Sequence, residues 1–180
     1  MNKEKIIQAL TAVCIALVWG ICDFINHEAL HFLKSDKFLY SIYFLAGLRL
    51  LAVILFGYVG FFGIFFGNAF SSILWRDYDP NDAIWLALLS SSAALFSYKL
   101  WQKLTATSDS FSGVSPRQIF YLIVLNGIIT ALFRFSYLFY INNQISSALI
   151  INTLAANISG AIFFLYIIKL SNNVYQRIRR

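Results

Sequence analysis

The chain has 180 residues, of which 59% are hydrophobic, 18% aromatic and only 12% charged. A water-soluble globule of this size cannot hide that much apolar surface, so the composition excludes an ordinary soluble domain and makes lipid the solvent. The net charge of +6 sits in short loops and tails beside apolar runs, where it acts as a topology signal and not as a nucleic-acid footprint.

A bilayer core about 30 Å thick takes roughly 20 apolar residues per helix. Six such stretches predict an all-α polytopic bundle, with one integral membrane domain over residues 1–180. The first span is expected at 6–25. Its lysine-then-apolar start is signal-peptide-like, but the apolar run is too long and lacks a small-residue cleavage site, so it reads as an uncleaved span. Cys14 and Cys22 lie eight residues apart in it, about 12 Å along one helix, too far to bridge, and are expected to be buried thiols.

The stretch after it, "NHEALHFLKSD", is expected to form a loop ending near Lys37, and it holds the spacing H-E-x-x-H in His27, Glu28 and His31. On a helix that spacing presents two zinc ligands and a general base. A catalytic zinc site needs a third protein ligand. The chain has no other histidine, its only other glutamate is Glu4, and every aspartate after Asp36 falls in a loop. A solvated amphipathic turn is therefore the better reading, with metal binding through His27 and His31 and zinc peptidase activity as lesser alternatives. No cofactor is expected.

The second and third spans are expected at 39–57 and 60–75. As one helix they would exceed the membrane thickness, so the chain turns within "GYVG", Gly57 to Gly60, where glycine permits the backbone angles. An acidic turn with Asp79-Pro80 follows. The fourth span is expected at 83–102. Ser115 is placed to cap the fifth, 117–141, with Pro116 at its first position. The sixth covers 145–170. Nine lysines and arginines fall on one side and three (Lys34, Lys37 and Arg76) on the other. The positive-inside bias then puts both termini in the cytoplasm, with Trp75 and Trp85 at the outer interface and Trp101 at the inner one.

Charges within the spans carry the functional signal. Arg49 in "AGLRLL" and Arg134 in "ALFRFSY" lie deep, where a charge costs about 3 kcal/mol on insertion scales, and such residues face the bundle interior or a wet cavity. Asp23 is the one acid within the spans, and Asn152, Asn157 and Ser136 lie at similar depth. One aspartate against two arginines predicts a polar pocket in the outer half of the bundle with residual positive charge. It suits an anionic small molecule, a lipid head group or the carboxylate of a membrane protein partner. The competing reading has Arg49 bound to Asp23 or to helix-end carbonyls and Arg134 snorkelling outward, both only fixing the packing. Ala12 with Ala16, Gly63 with Gly67, and Ala156 with Gly160 have small-xxx-small spacing and are expected to pack helices.

The run "FLAGLRLLAVILFGYVGFFGIFFGNAF" resembles the core of the bacterial membrane-associated sensor (MASE-type) domains. Their pattern is an extended approach, a proline- or alanine-glycine step, an apolar helix, "FG" and a second glycine-punctuated helix. Ala46-Gly47, Phe56-Gly57 and Gly67 occupy those places, and "AANISGAIF" resembles the last span. Those domains usually precede a signalling module, whereas here ten residues, "SNNVYQRIRR", follow Leu170. The six-span layout, with Ala12 and Ala16 at A-x-x-x-A spacing, is also similar to the substrate-binding S components of energy-coupling-factor transporters. The first resemblance implies a small sensor-like or accessory subunit of the bacterial inner membrane, a binding protein and not an enzyme. The second implies an uptake component.

Overall fold

The computed structural model describes residues 3–29, 34–36, 39–40, 43–105, 114–142 and 147–178. Helices α1 (Lys3–Ala29), α2 (Leu45–Phe56), α3 (Tyr58–Arg76), α4 (Pro80–Thr105), α5 (Pro116–Asn142) and α6 (Ser147–Ile178) form a helical bundle. The one departure among the described residues is a short antiparallel pair, β1 (Lys34–Asp36) and β2 (Leu39–Tyr40), with Lys34 opposite Tyr40. Five of the helices are long and apolar enough to cross a membrane. Large apolar side chains cover their outer faces, among them Leu10, Leu17 and Ile21 on α1. Such a surface suits acyl chains and would be untenable in water. The protein is thus a multi-pass helical membrane protein.

Local chemistry sets the helix ends. Ser115 and Gln118 form a reciprocal capping box before α5: the Gln118 amide donates to Ser115 Oγ (3.3 Å) and the Ser115 amide to Gln118 Oε1 (2.8 Å). Pro116 takes the first helical position, as expected. Asp77, in the left-handed region, closes α3, and the Tyr78 amide reaches back to the Ser72 carbonyl (3.2 Å). Asp79 then opens α4, accepting the Asn81 amide at 2.9 Å. Gly57, at φ +55° and ψ −123°, makes the expected turn between α2 and α3.

Helix directions follow from the close contacts. A Cβ added at Gly63 would lie 2.7 Å from Ile15 Cβ and 2.9 Å from the Ala12 carbonyl oxygen, and one at Gly67 would lie 2.8 Å from the Ala16 oxygen. The small residues of α1 and α3 therefore seat each other. Near the far end of both helices Arg76 bonds to Asp23. Contacts that rise together along both chains mean that α1 and α3 run parallel, so the chain crosses back between them. That return contains α2, which runs parallel to α6: Gly47 packs on Phe164, and the Tyr43 amide donates to the Ala156 carbonyl (3.2 Å).

The return crossing differs from the continuous helix expected at 39–57. Helix α2 has only 12 residues, about 18 Å, and the chain approaches it non-helically through β2 and Tyr43. The Tyr43 carbonyl lies against Gly160, so closely that any Cβ there would collide with it. The backbone that leaves the helical pattern is thus satisfied by α6, and irregular backbone at membrane depth persists only where protein or a cavity covers it. The other spans agree with their expected positions, with helical ends extended by a few residues, most at the end of α6.

Two smaller expectations, for the end of α1 and for the cysteines, are corrected. Helix α1 continues to Ala29, so His27 and Glu28 are helical and not in a loop; His31 lies outside the described residues. Trp101, near the end of α4, is buried against the bundle, donates its indole N–H to the Gln118 carbonyl (2.9 Å) and stacks on Tyr98. Cys14 is exposed on the outer face of α1 and Cys22 is half-buried.

Candidate functional site

In the half of the bundle where α3 meets α4, away from the first turn of α1, lies a cavity with about 40 Å³ of open space. Polar residues reach it from every surrounding element. Helix α3 contributes Asn68, Ser72 and Arg76, spaced four apart on one face. From α5 come Thr130 and Arg134, again four apart, while α6 supplies Asn157, α4 supplies Ser90 and α2 supplies Arg49. Tyr43 at the broken crossing and Tyr78 at the α3–α4 turn complete the polar wall, and Leu86 and Leu89 of α4 form an apolar side.

Arg49 is only 1% exposed. Its Nη1 donates to Ser90 Oγ, and its Nη2 donates to Thr130 Oγ1 (3.1 Å) and Asn157 Oδ1 (3.0 Å). Each acceptor comes from a different helix, so this one side chain ties α2 to α4, α5 and α6. Asn157 is itself oriented by its Nδ2, which donates to the Thr153 carbonyl (2.8 Å). All three acceptors are neutral, so the guanidinium is solvated but its charge is not cancelled. Its Nε–H is buried with no hydrogen-bond partner.

The packing alternative paired Asp23 with Arg49. Instead Asp23, fully buried, takes Arg76 at the end of α3. The Arg76 guanidinium also lies over the Tyr43 ring, 5.7 Å from its centroid, a cation–π arrangement. Arg76, expected only as an outer-loop topology charge, instead stands in the cavity wall at the end of α3. Its helical spacing from Asn68 and Ser72 was the available signal. Arg134 lines the cavity and does not snorkel outward. Of the other expected binding residues, Asn157 is in the site, whereas Asn152 is exposed on the opposite side of α6 and Ser136 is exposed, turned back onto the Leu132 carbonyl.

Among the described residues the cavity region therefore carries three guanidiniums against one carboxylate, and none of them that lines the cavity is an acid. Such a wall can bind anions, through charge and through directional N–H and O–H donors. Among the described residues no group of three histidine, cysteine or carboxylate side chains could hold a metal. His27 Nδ1 lies 3.4 Å from Glu28 Oε1.

Comparison of the chain with family models, with curated proteins and with solved structures finds no match.

Proposed function

We propose that this chain is a small sensor-like or accessory subunit of the bacterial inner membrane that binds an anionic ligand through the cavity lined by α2, α3, α4, α5 and α6. One observation carries the reading. Arg49 is fully desolvated, held by neutral acceptors from three helices, and shares its cavity with two further arginines. A bundle that needed only a bridging polar group could use a neutral side chain. A cation in a low-dielectric site is costly and marks ligand binding by default. The non-helical approach to α2, followed by the Ala46-Gly47 step and Gly57, is also the arrangement implied by the resemblance to the membrane-associated sensor domains.

The uptake-component reading drew on Ala12 and Ala16 as a docking stripe. Those residues seat Gly63 and Gly67 of this same chain, so the motif no longer favours it. The test is purification in a mild detergent followed by native mass spectrometry, with Arg49→Met beside the parent protein. A retained anionic molecule that is lost in the variant supports the proposal. A ligand retained equally by both proteins refutes it.

A further inference from the structure

A second pocket lies at the rim of the bundle, where the first turns of α4 meet the last turns of α5. It is lined by Asn81, Asp82 and Trp85 of α4 and by Tyr137, Tyr140 and Ile141 of α5. None of these residues lines the central cavity, so what they imply is independent of the anion reading above.

Asp82 is half-buried, and its Oδ1 accepts the Tyr137 hydroxyl at 2.8 Å. That donor is neutral, and among the described residues no basic side chain pairs with Asp82. Asp77 and Asp79 stand exposed on the turn just before it, so the surroundings add negative charge and do not cancel it. Three aromatic side chains flank this carboxylate. Trp85 is 46% exposed and Tyr140 86%. Among the described residues no other ring stacks on Trp85, Tyr137 or Tyr140, and no cation lies over them. Their faces, the negative part of the ring quadrupole, are therefore available. A lone tryptophan or tyrosine at a membrane surface serves as an anchor. Three around one unpaired carboxylate offer a cation both a counter-charge and ring faces.

The lining also selects the kind of cation. A hard metal ion takes six to eight oxygens, chiefly from carboxylates, carbonyls and water, and the pocket supplies one carboxylate and one side-chain amide. A primary ammonium needs acceptors for three N–H groups. A quaternary ammonium needs none: its methyl groups pack on the rings and on Ile141 while Asp82 balances its charge.

We propose that the rim pocket binds a quaternary ammonium group, either of free choline or of the choline head of a lipid.

The test is calorimetric titration of the full chain, in a neutral maltoside detergent, with choline, with ammonium chloride and with neohexyl alcohol, the uncharged isostere in which carbon replaces the nitrogen. Choline is expected to bind about tenfold or more tighter than either. Asp82→Asn keeps the shape and an acceptor for Tyr137 but removes the charge, and is expected to weaken choline about fivefold. Trp85→Leu, at an exposed position, keeps an apolar wall without the ring and is expected to weaken it about two- to fivefold, with Trp85→Phe losing less. Repeating the choline titration in micelles doped with phosphatidylcholine, or with diacylglycerol of the same chains, separates the sources: competition by phosphatidylcholine alone identifies a lipid head, and undiminished binding identifies the free cation. Neohexyl alcohol or ammonium binding as tightly as choline overturns the proposal. So does choline affinity unchanged by both Asp82→Asn and Trp85→Leu, or no binding of choline by the parent protein.

Discussion

Replacing Arg49 by methionine separates a binding role from a packing role, because the structure lets the stability cost be worked out in advance. Methionine roughly keeps the volume, so no large cavity opens. The charge goes, and with it the desolvation penalty of several kcal/mol that a buried cation carries. Three acceptors then lose their donor. Ser90 and Thr130 are on helices and can turn back onto carbonyls of the preceding turn, as Ser91, Ser97, Ser136 and Ser159 already do at 2.5 to 2.9 Å. Asn157 cannot do the same: its Nδ2 is committed to the Thr153 carbonyl, so its Oδ1 is left buried and unsatisfied. An orphaned neutral acceptor costs about 1–3 kcal/mol, and that is the predicted net loss.

The assay is reversible denaturant unfolding in mixed micelles, read by tryptophan fluorescence and far-ultraviolet circular dichroism. A follow-up change, Asn157→Leu in the Arg49→Met background, should recover most of the loss, since both polar partners are then absent. Anion binding should vanish in both variants. A loss above about 5 kcal/mol, beyond what one unpaired acceptor can explain, or no recovery in the double variant, would refute this reasoning. Arg49 would then be a structural keystone, with any ligand incidental.

Other outcomes follow from the same geometry. Arg76→Met strands a buried carboxylate and should destabilise by about 3–5 kcal/mol, whereas Asp23→Leu combined with Arg76→Met should cost much less than the two single changes together; a double-mutant cycle by denaturant unfolding measures the coupling. Gly160→Ala drives a methyl group into the Tyr43 carbonyl and should cost about 1–3 kcal/mol, with weaker anion binding in calorimetry because Tyr43 lines the cavity. Ser115→Ala removes half of the capping box before α5 and should lower stability by about 0.5–2 kcal/mol with anion affinity unchanged. Gly57→Ala forces a side chain into a backbone region that favours glycine and should cost roughly 1 kcal/mol or more in the same unfolding assay.

What the residues disclosed without coordinates divides along physical lines. Caps and turns are local, so Ser115-Pro116, Asp79-Pro80 and Gly57 could be read directly. The broken crossing could not. "FLYSIYF" is as apolar as a helix, and what holds Tyr43 out of the helix is a carbonyl 113 residues further on, at Ala156. Arg49 and Arg134 stood out because charge inside an apolar run is rare. Arg76 was hidden by its acidic neighbours, which made an ordinary helix end of it. Asn152 and Asn157 lie at comparable depth, and only the rotation of α6 decides which one faces inward. The Ala156-Gly160 pattern was legible as close packing, but its partner is the backbone of Tyr43 and not another helix.

The parallel pairing of α1 with α3 also constrains biogenesis. Asp23 leaves the ribosome 53 residues ahead of Arg76, and α1 packs mainly against α3. While α3 is still being synthesised, the first helix must wait in the translocon or in lipid with its acidic side chain unmatched, a costly state. The arrival of Arg76 ends that wait, and the pair it forms with Asp23 makes the two helices one unit.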